Sequence, residues 1–246
     1  MSEPASAVRL DKLLANLGYG SRREVQALAR GGRVILDAMP LRTADERIAL
    51  TPDLPTRLHI DGAPLDPLPG VVLMLNKPLG MTCSHKENGP LVYALLPARW
   101  RLREPPISSV GRLDKDTSGL LLLTDDGDLL HRIITPKTHV PKRYQVGLAR
   151  PLRGDETEVF ASSTMMLAGE TKPLLPSALE VHAPTQAALT ITEGRYHQVR
   201  RMFAALGNHV TTLQRDRVGG LDMPDDLAPG MFRALRRDEV DRIFER

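Results

Sequence analysis

Gly111-Arg-Leu-Asp-Lys-Asp-Thr-Ser-Gly119 runs directly into Leu120-Leu-Leu-Leu-Thr124, a polar loop set against an apolar run that reads as a strand. The loop holds an arginine and two carboxylates between glycines. Loops carried by a rigid strand are favoured places for catalysis. On residue types alone the same stretch also reads as a solvated, glycine-flanked turn.

Working outward, further strand-like runs lie at Val71–Asn76, Tyr144–Leu148, Ala187–Thr192 and Val210–Leu213. Helical patterns alternate with them irregularly. In 196–206, Val199, Met202, Phe203 and Leu206 share one face, and Gly207-Asn208 suits the C-terminus. A second helix is expected through 129–134, with Asp125-Asp126-Gly127 supplying carboxylates at its start. The pattern predicts an α+β fold with a mixed sheet.

Nearer the start, Leu10, Leu13, Leu14 and Leu17 recur on one helical face, and Gly18 follows as a stop. Ser21 with Glu24 makes a capping-box pattern that opens a second helix through Val25, Leu28 and Ala29. Gly31-Gly32 ends that helix, and Arg33-Val-Ile-Leu36 reads as a strand. Between Asp61 and Gly70 stand three prolines and two glycines, a semi-rigid linker by composition. The expected organisation is a small domain over residues 1–63, a linker over 64–70 and a larger domain over 71–246.

The longest aliphatic runs fall far short of a membrane span, and the opening MSEPASAVRL has no apolar stretch of signal-peptide length. A lone cysteine, Cys83, excludes an intramolecular disulfide and fits a reducing compartment, so a cytoplasmic protein is expected. The scattered histidines show no zinc spacing, and no phosphate-cradling Gly-x-x-x-x-Gly-Lys-Ser/Thr occurs. Net charge is only +3, but its distribution is uneven. Residues 9–42 carry seven bases against three acids, and 135–150 carry four bases and no acid. Such segments suit a polyanion, or are simply solvated faces.

Four pieces in order carry a resemblance: Asn76-Lys-Pro-Leu-Gly80, the Gly111–Gly127 stretch, Lys142-Arg-Tyr144, and Glu193-Gly-Arg-Tyr-His-Gln-Val-Arg-Arg-Met202. Together they resemble the pseudouridine synthases that modify ribosomal RNA. The Arg9–Arg42 unit is similar to the S4 RNA-binding module. Residues 124–127, 193–199, 202–205, 207–210 and 226–230 are most similar to the branch acting on 16S, small-subunit RNA. Sister enzymes acting on 23S RNA share most of these motifs.

The resemblance implies a small N-terminal S4-like domain followed by a catalytic domain on a mixed, mainly antiparallel sheet with flanking helices. It makes Asp114 the catalytic carboxylate, as nucleophile or as base at the sugar, with no metal and no cofactor. Arg200 is implied to pair with that carboxylate, and Tyr144 to stack on the target base. Arg112 would fill the gap left by an everted nucleotide. Arg9, Lys12, Arg22, Arg23 and Arg33 are expected at RNA phosphates, and Lys142, Arg195 and His197 nearer the site. Lys77 and the Pro78-Leu-Gly80 turn are expected to shape it. The partner is ribosomal RNA, 16S favoured, free or in an assembling subunit, met by a monomer with no membrane attachment. Rival readings are a non-catalytic S4-type RNA-binding protein and a glycosidase releasing free base.

Two stretches depart from the family pattern. Asp37-Ala38 replaces the usual Asp-Gly turn, so an irregular hairpin is expected there. The segment 97–106, with Trp100 among arginines and prolines, is long; it reads as a solvated loop or an added RNA contact.

Overall fold

The structure, a computed structural model, describes residues 7–84 and 88–245. It divides into two compact units. The first comprises the described residues up to Val71 with Leu96–Ser108 and Thr124–Asp126; the second holds the remainder.

The first unit runs β1 (Ala7–Arg9), α1 (Leu10–Asn16), α2 (Arg22–Arg30), β2 (Val34–Leu36), β3 (Met39–Pro40), β4 (Arg47–Ala49), α3 (Leu54–Arg57), β5 (Leu58–Ile60) and β6 (Ala63–Pro64). The expected leucine face of α1 is fully used: Leu10, Leu13, Leu14 and Leu17 are buried against Val25 and Ala29 of α2 and Val34, Leu58 and Ile60 of the sheet. Both halves of the capping box form, with the Ser21 N–H donating to Glu24 Oε2 at 2.7 Å and the Glu24 N–H to Ser21 Oγ at 3.3 Å. Gly18 takes φ +86°, and a Cβ there would lie 2.5 Å from the Arg99 carbonyl oxygen, so the stop is also a close approach of two backbones.

The segment 97–106 is mostly exposed but is anchored by two of its arginines. Within the first unit Arg99 reaches Asp66 with two bonds, at 2.6 and 2.9 Å, and lies 4.2 Å over the Tyr19 ring. Arg103 pairs with Asp125 at 2.6 Å, both side chains buried, and also donates to the Pro67 carbonyl. Asp125 accepts from the Gly70 N–H as well, so its carboxylate is consumed here and does not cap the following helix. Residues 64–70, expected as a linker, contribute Leu65 to the first unit's core, and the Asp66 N–H donates to the Tyr19 hydroxyl.

The hairpin at Asp37-Ala38 keeps regular register, Leu36 facing Met39, because both turn residues adopt positive φ, +49° and +64°. That is the type I′ geometry whose twist matches paired strands. Arg57 fastens Asp37 with bonds of 2.7 and 2.6 Å, so the turn forms without its glycine, at the cost of an alanine in the left-handed region.

The second unit is built on β7 (Val72–Lys77), β8 (Ser108–Ser109), β9 (Ser118–Thr124), α4 (Gly127–Ile134), β10 (Lys142–Leu148), α5 (Glu156–Ala161), β11 (Ala178–Ala183), β12 (Gln186–Ile191), α6 (Gln198–Ala205), β13 (Val210–Val218), β14 (Leu221–Asp222), β15 (Phe232–Ala234) and α7 (Arg237–Arg242). The main sheet runs β11-β12-β10-β13-β9-β7-β15. β10 pairs antiparallel with β12 and β13, as do β11 with β12 and β7 with β15, whereas β13 and β9 run parallel. The sheet is thus mixed and mainly antiparallel. At the parallel crossing Gly119 faces Arg215, and a Cβ on Gly119 would lie 2.2 Å from the Arg215 carbonyl oxygen. Only glycine fits.

Two elements differ from the sequence pattern. α6 begins at Gln198, not 196, because His197 sits at φ +49°, outside helical geometry. β13 continues to Val218 through Gln214-Arg-Asp-Arg217, polar residues that hide a strand from hydropathy. Ala38→Gly is expected to raise stability by about 0.5–1 kcal/mol, relief of left-handed strain exceeding the entropy glycine adds to the unfolded chain. Urea unfolding of the two proteins checks this; an unchanged or lower midpoint would mean the turn carries no strain.

Candidate active site

The loop bearing Asp114 is fastened through its backbone. Successive carbonyls from 114 to 117 all accept hydrogen bonds. The Thr117 N–H donates to the Asp114 carbonyl at 3.0 Å and the Gly80 N–H to Lys115 at 2.9 Å. The ammonium of Lys77 on β7, fully buried, donates to the Thr117 carbonyl at 2.8 Å and the Pro78 carbonyl at 3.0 Å. Arg200, on α6, donates to the Asp116 carbonyl at 2.7 Å and to Val210 at 3.0 Å. A buried cation is tolerable only when its donors are satisfied, and here the loop itself satisfies them.

This corrects one expectation. Arg200 does not pair with the Asp114 carboxylate: its guanidinium is taken up by two carbonyl oxygens, one in the loop that bears Asp114 and one on β13. Among the described residues the ion-pair neighbour of Asp114 is His197, whose Nε2 lies 3.5 Å from Oδ1. The left-handed backbone at His197 and stacking on Tyr196, centroids 3.9 Å apart at 15°, aim the ring. The Asp114 side chain stays about a third exposed, open to a ligand.

Asp114 lines a cleft of about 350 Å³ together with Arg112, Lys142, Tyr144, His197 and Arg215. Lys142 and Tyr144 lie two apart on β10 and so share a face, while Arg143 points away and binds Asp216 at 2.9 Å. Arg215, opposite Tyr144 across the β10–β13 pair, donates to the Leu120 carbonyl at 2.7 Å and approaches the Tyr144 hydroxyl at 3.5 Å. No motif singles it out. Its signal is a cation on the face of β13 that also carries Leu213. Burial pushes the Lys142 ammonium down to about 8, with neighbouring Arg215 adding to the effect. Arg112 stands exposed at the cleft.

Arg195 is placed differently from expectation. It touches the cleft, but its donors are spent on Glu193 at 3.1 Å, Glu170 at 3.3 Å and the carbonyls of Lys172 and Pro173. It ties the 170–173 segment to the turn before α6, leaving little for RNA. In the first unit Arg9 and Arg22 converge on the buried Asp11, at 2.9 and 3.0 Å, and hold its carboxyl well below the usual range. Arg33 pairs with Asp61 at 2.5 Å. Lys12 and Arg23 are exposed and have no ion-pair partner among the described residues. Of five expected phosphate contacts, therefore, three are already matched by carboxylates.

Comparison with known proteins identifies the family. Residues 71–205 match the family model described as RNA pseudouridylate synthase, and residues 8–38 match the S4 domain. The chain is 43% identical over 95% of its length, and 98% of the relative's, to ribosomal small subunit pseudouridine synthase A of Escherichia coli (strain K12). It is 39% identical, covering 97% of this chain and 99% of the other, to the uncharacterized RNA pseudouridine synthase YtzG of Bacillus subtilis (strain 168). A crystal structure of a pseudouridylate synthase superimposes with a TM-score of 0.67 at 35% identity, covering 96% of this chain and 99% of that one. The chain belongs to the RNA pseudouridylate synthase family, isomerases that convert uridine in RNA to pseudouridine, and bears an S4 domain ahead of its catalytic part.

Proposed function

We propose that this enzyme isomerises a uridine of ribosomal RNA, in the small-subunit 16S molecule, with Asp114 as the carboxylate acting on the sugar of an everted nucleotide. The observation that carries the reading is Asp114 itself: a carboxylate on a backbone-clamped loop, open to a cleft it shares with Tyr144. Near-complete coverage of relatives named for the small ribosomal subunit supports the choice of RNA. The cytoplasm is then where the enzyme would meet its substrate, free or in an assembling subunit.

Asp114 either attacks C1′ or removes a sugar proton; both need it ionised beside the ribose. Tyr144 offers a ring face to the base, and Arg112 a cation to the vacated stack, where eversion costs a few kcal/mol. Arg200 serves by fixing the loop, a positioning role. Of the five first-unit cations expected at phosphate, Lys12 and Arg23 are the two without an ion-pair partner among the described residues, and so the best able of the five to displace counterions.

Asp114→Asn should lower pseudouridine formation by at least about 10³-fold while RNA affinity stays within a few-fold. Chemical mapping of 16S and 23S transcripts and partly assembled subunits reads this; substantial product from the variant refutes the role. Arg200→Ala should slow turnover while RNA affinity stays within a few-fold; an unchanged rate would remove the positioning role. For binding, Lys12→Ala and Arg23→Ala should each reduce the log–log salt slope by ~0.7–0.9. Arg33→Ala, its charge already matched by Asp61, should change it less. Slopes unchanged from wild type for Lys12→Ala and Arg23→Ala would place these cations off the RNA path.

A further inference from the structure

Charge in the cleft does not balance locally. Arg215 is 4% exposed, and its contacts are the Leu120 carbonyl and, at 3.5 Å, the Tyr144 hydroxyl. Lys142 donates to the Val140 carbonyl at 2.8 Å. Neither has a carboxylate partner among the described residues, although the arginines around them do: Arg143 holds Asp216, and Arg195 holds Glu193. The remaining charged groups at the cleft are Asp114, beside His197, and the exposed Arg112. Two like charges drawn out of water next to each other raise the free energy of the empty enzyme, and the fall of the Lys142 pKa to about 8 records that cost. An anion arriving between them would relieve it.

Resting on the function proposed above, we infer that Lys142 and Arg215 form a two-cation cradle that takes up the negative charge of the uracil ring while it is detached from the sugar. When the C1′–N1 bond breaks, its electron pair leaves with N1 and spreads to O2 and O4, so the free ring carries one negative charge. After the ring turns, C5 supplies the pair for the new bond to C1′, while Asp114 either leaves C1′ with the pair of its own bond or returns the sugar proton it had removed; this leaves N1=C6 and a neutral adduct. Loss of the C5 proton and gain of one at N1 complete an isomer with no net change in atoms or charge. Donors preorganised where charge develops stabilise that interval without reorganising. Apolar Ile191, Leu213 and Val218 also line the cleft, walls that suit a flat ring better than a hydrated phosphate.

Single-turnover rates and RNA affinity of the full-length protein test this with 16S RNA. Lys142→Met should lose about 10²-fold in rate, as removal of one such donor does, with affinity within about threefold. The wild-type rate should fall as pH rises through about 8, where the ammonium loses its proton. Lys142→Arg should restore most of the rate and abolish that fall, since guanidinium stays charged. With 5-fluorouridine at the target, the departing ring is a more stable anion, so the Lys142→Met deficit in loss of the starting nucleoside should shrink at least several-fold. A deficit equal for both nucleosides, an unchanged rate, or a loss confined to affinity would overturn the cradle, the last marking a phosphate contact. If the wild-type enzyme forms no pseudouridine in any ribosomal RNA, the function fails and the cradle with it. Equal turnover rates for wild type and Lys142→Met remove the cradle alone.

Discussion

Two cationic donors, one buried and one partly exposed, grip one stretch of backbone and hold the candidate active site together. Lys77 from β7 and Arg200 from α6 bind carbonyls of the loop 115–117, and the carboxylate of Asp114 rides on that loop. A carboxylate held by its own side-chain bonds would be positioned but spent. Held through neighbouring carbonyls, it is positioned and still available. The dependence is mutual, because Lys77 is fully buried and needs those oxygens as much as the loop needs the ammonium.

The same logic orders the cleft wall. Parallel pairing of β13 with β9 demands glycine at 119, and that close approach lets Arg215 reach the Leu120 carbonyl while facing Tyr144. Strand alternation then sorts the cations of β10. Lys142 turns into the cleft with Tyr144, whereas Arg143 turns away to Asp216. Adjacent basic residues in one short motif thus do different work: one is neutralised, the other is left partly desolvated in the cleft.

In the first unit, charge counts overstate the surface offered to RNA. Arg9, Arg22 and Arg33 spend their guanidinium groups on Asp11, Asp45 and Asp61, organising the fold rather than meeting phosphate. Arg99 and Arg103 likewise fasten the segment 97–106 to Asp66 and Asp125, which turns an apparent loop into part of the unit's framework. The bidentate geometry of Arg99 on Asp66 suits such a structural pair, and a lysine could not reproduce it.

The sequence by itself determined the α+β class, both helices of the first unit with their cap and stop, most strands of the main sheet, and the family, because periodicity and ordered motifs are local signals. It also marked Asp114 and Tyr144, whose neighbours along the chain carry the resemblance. Tertiary structure alone decided that Arg200 clamps a carbonyl instead of pairing with Asp114, that Asp125 serves Arg103 instead of a helix end, and that Arg195 is consumed by Glu193 and Glu170. It alone brought Arg215 to the cleft from a strand whose polar residues conceal it. Each of these turns on which oppositely charged or carbonyl group lies within hydrogen-bond reach, a distance between residues far apart in the chain that no one-dimensional pattern contains.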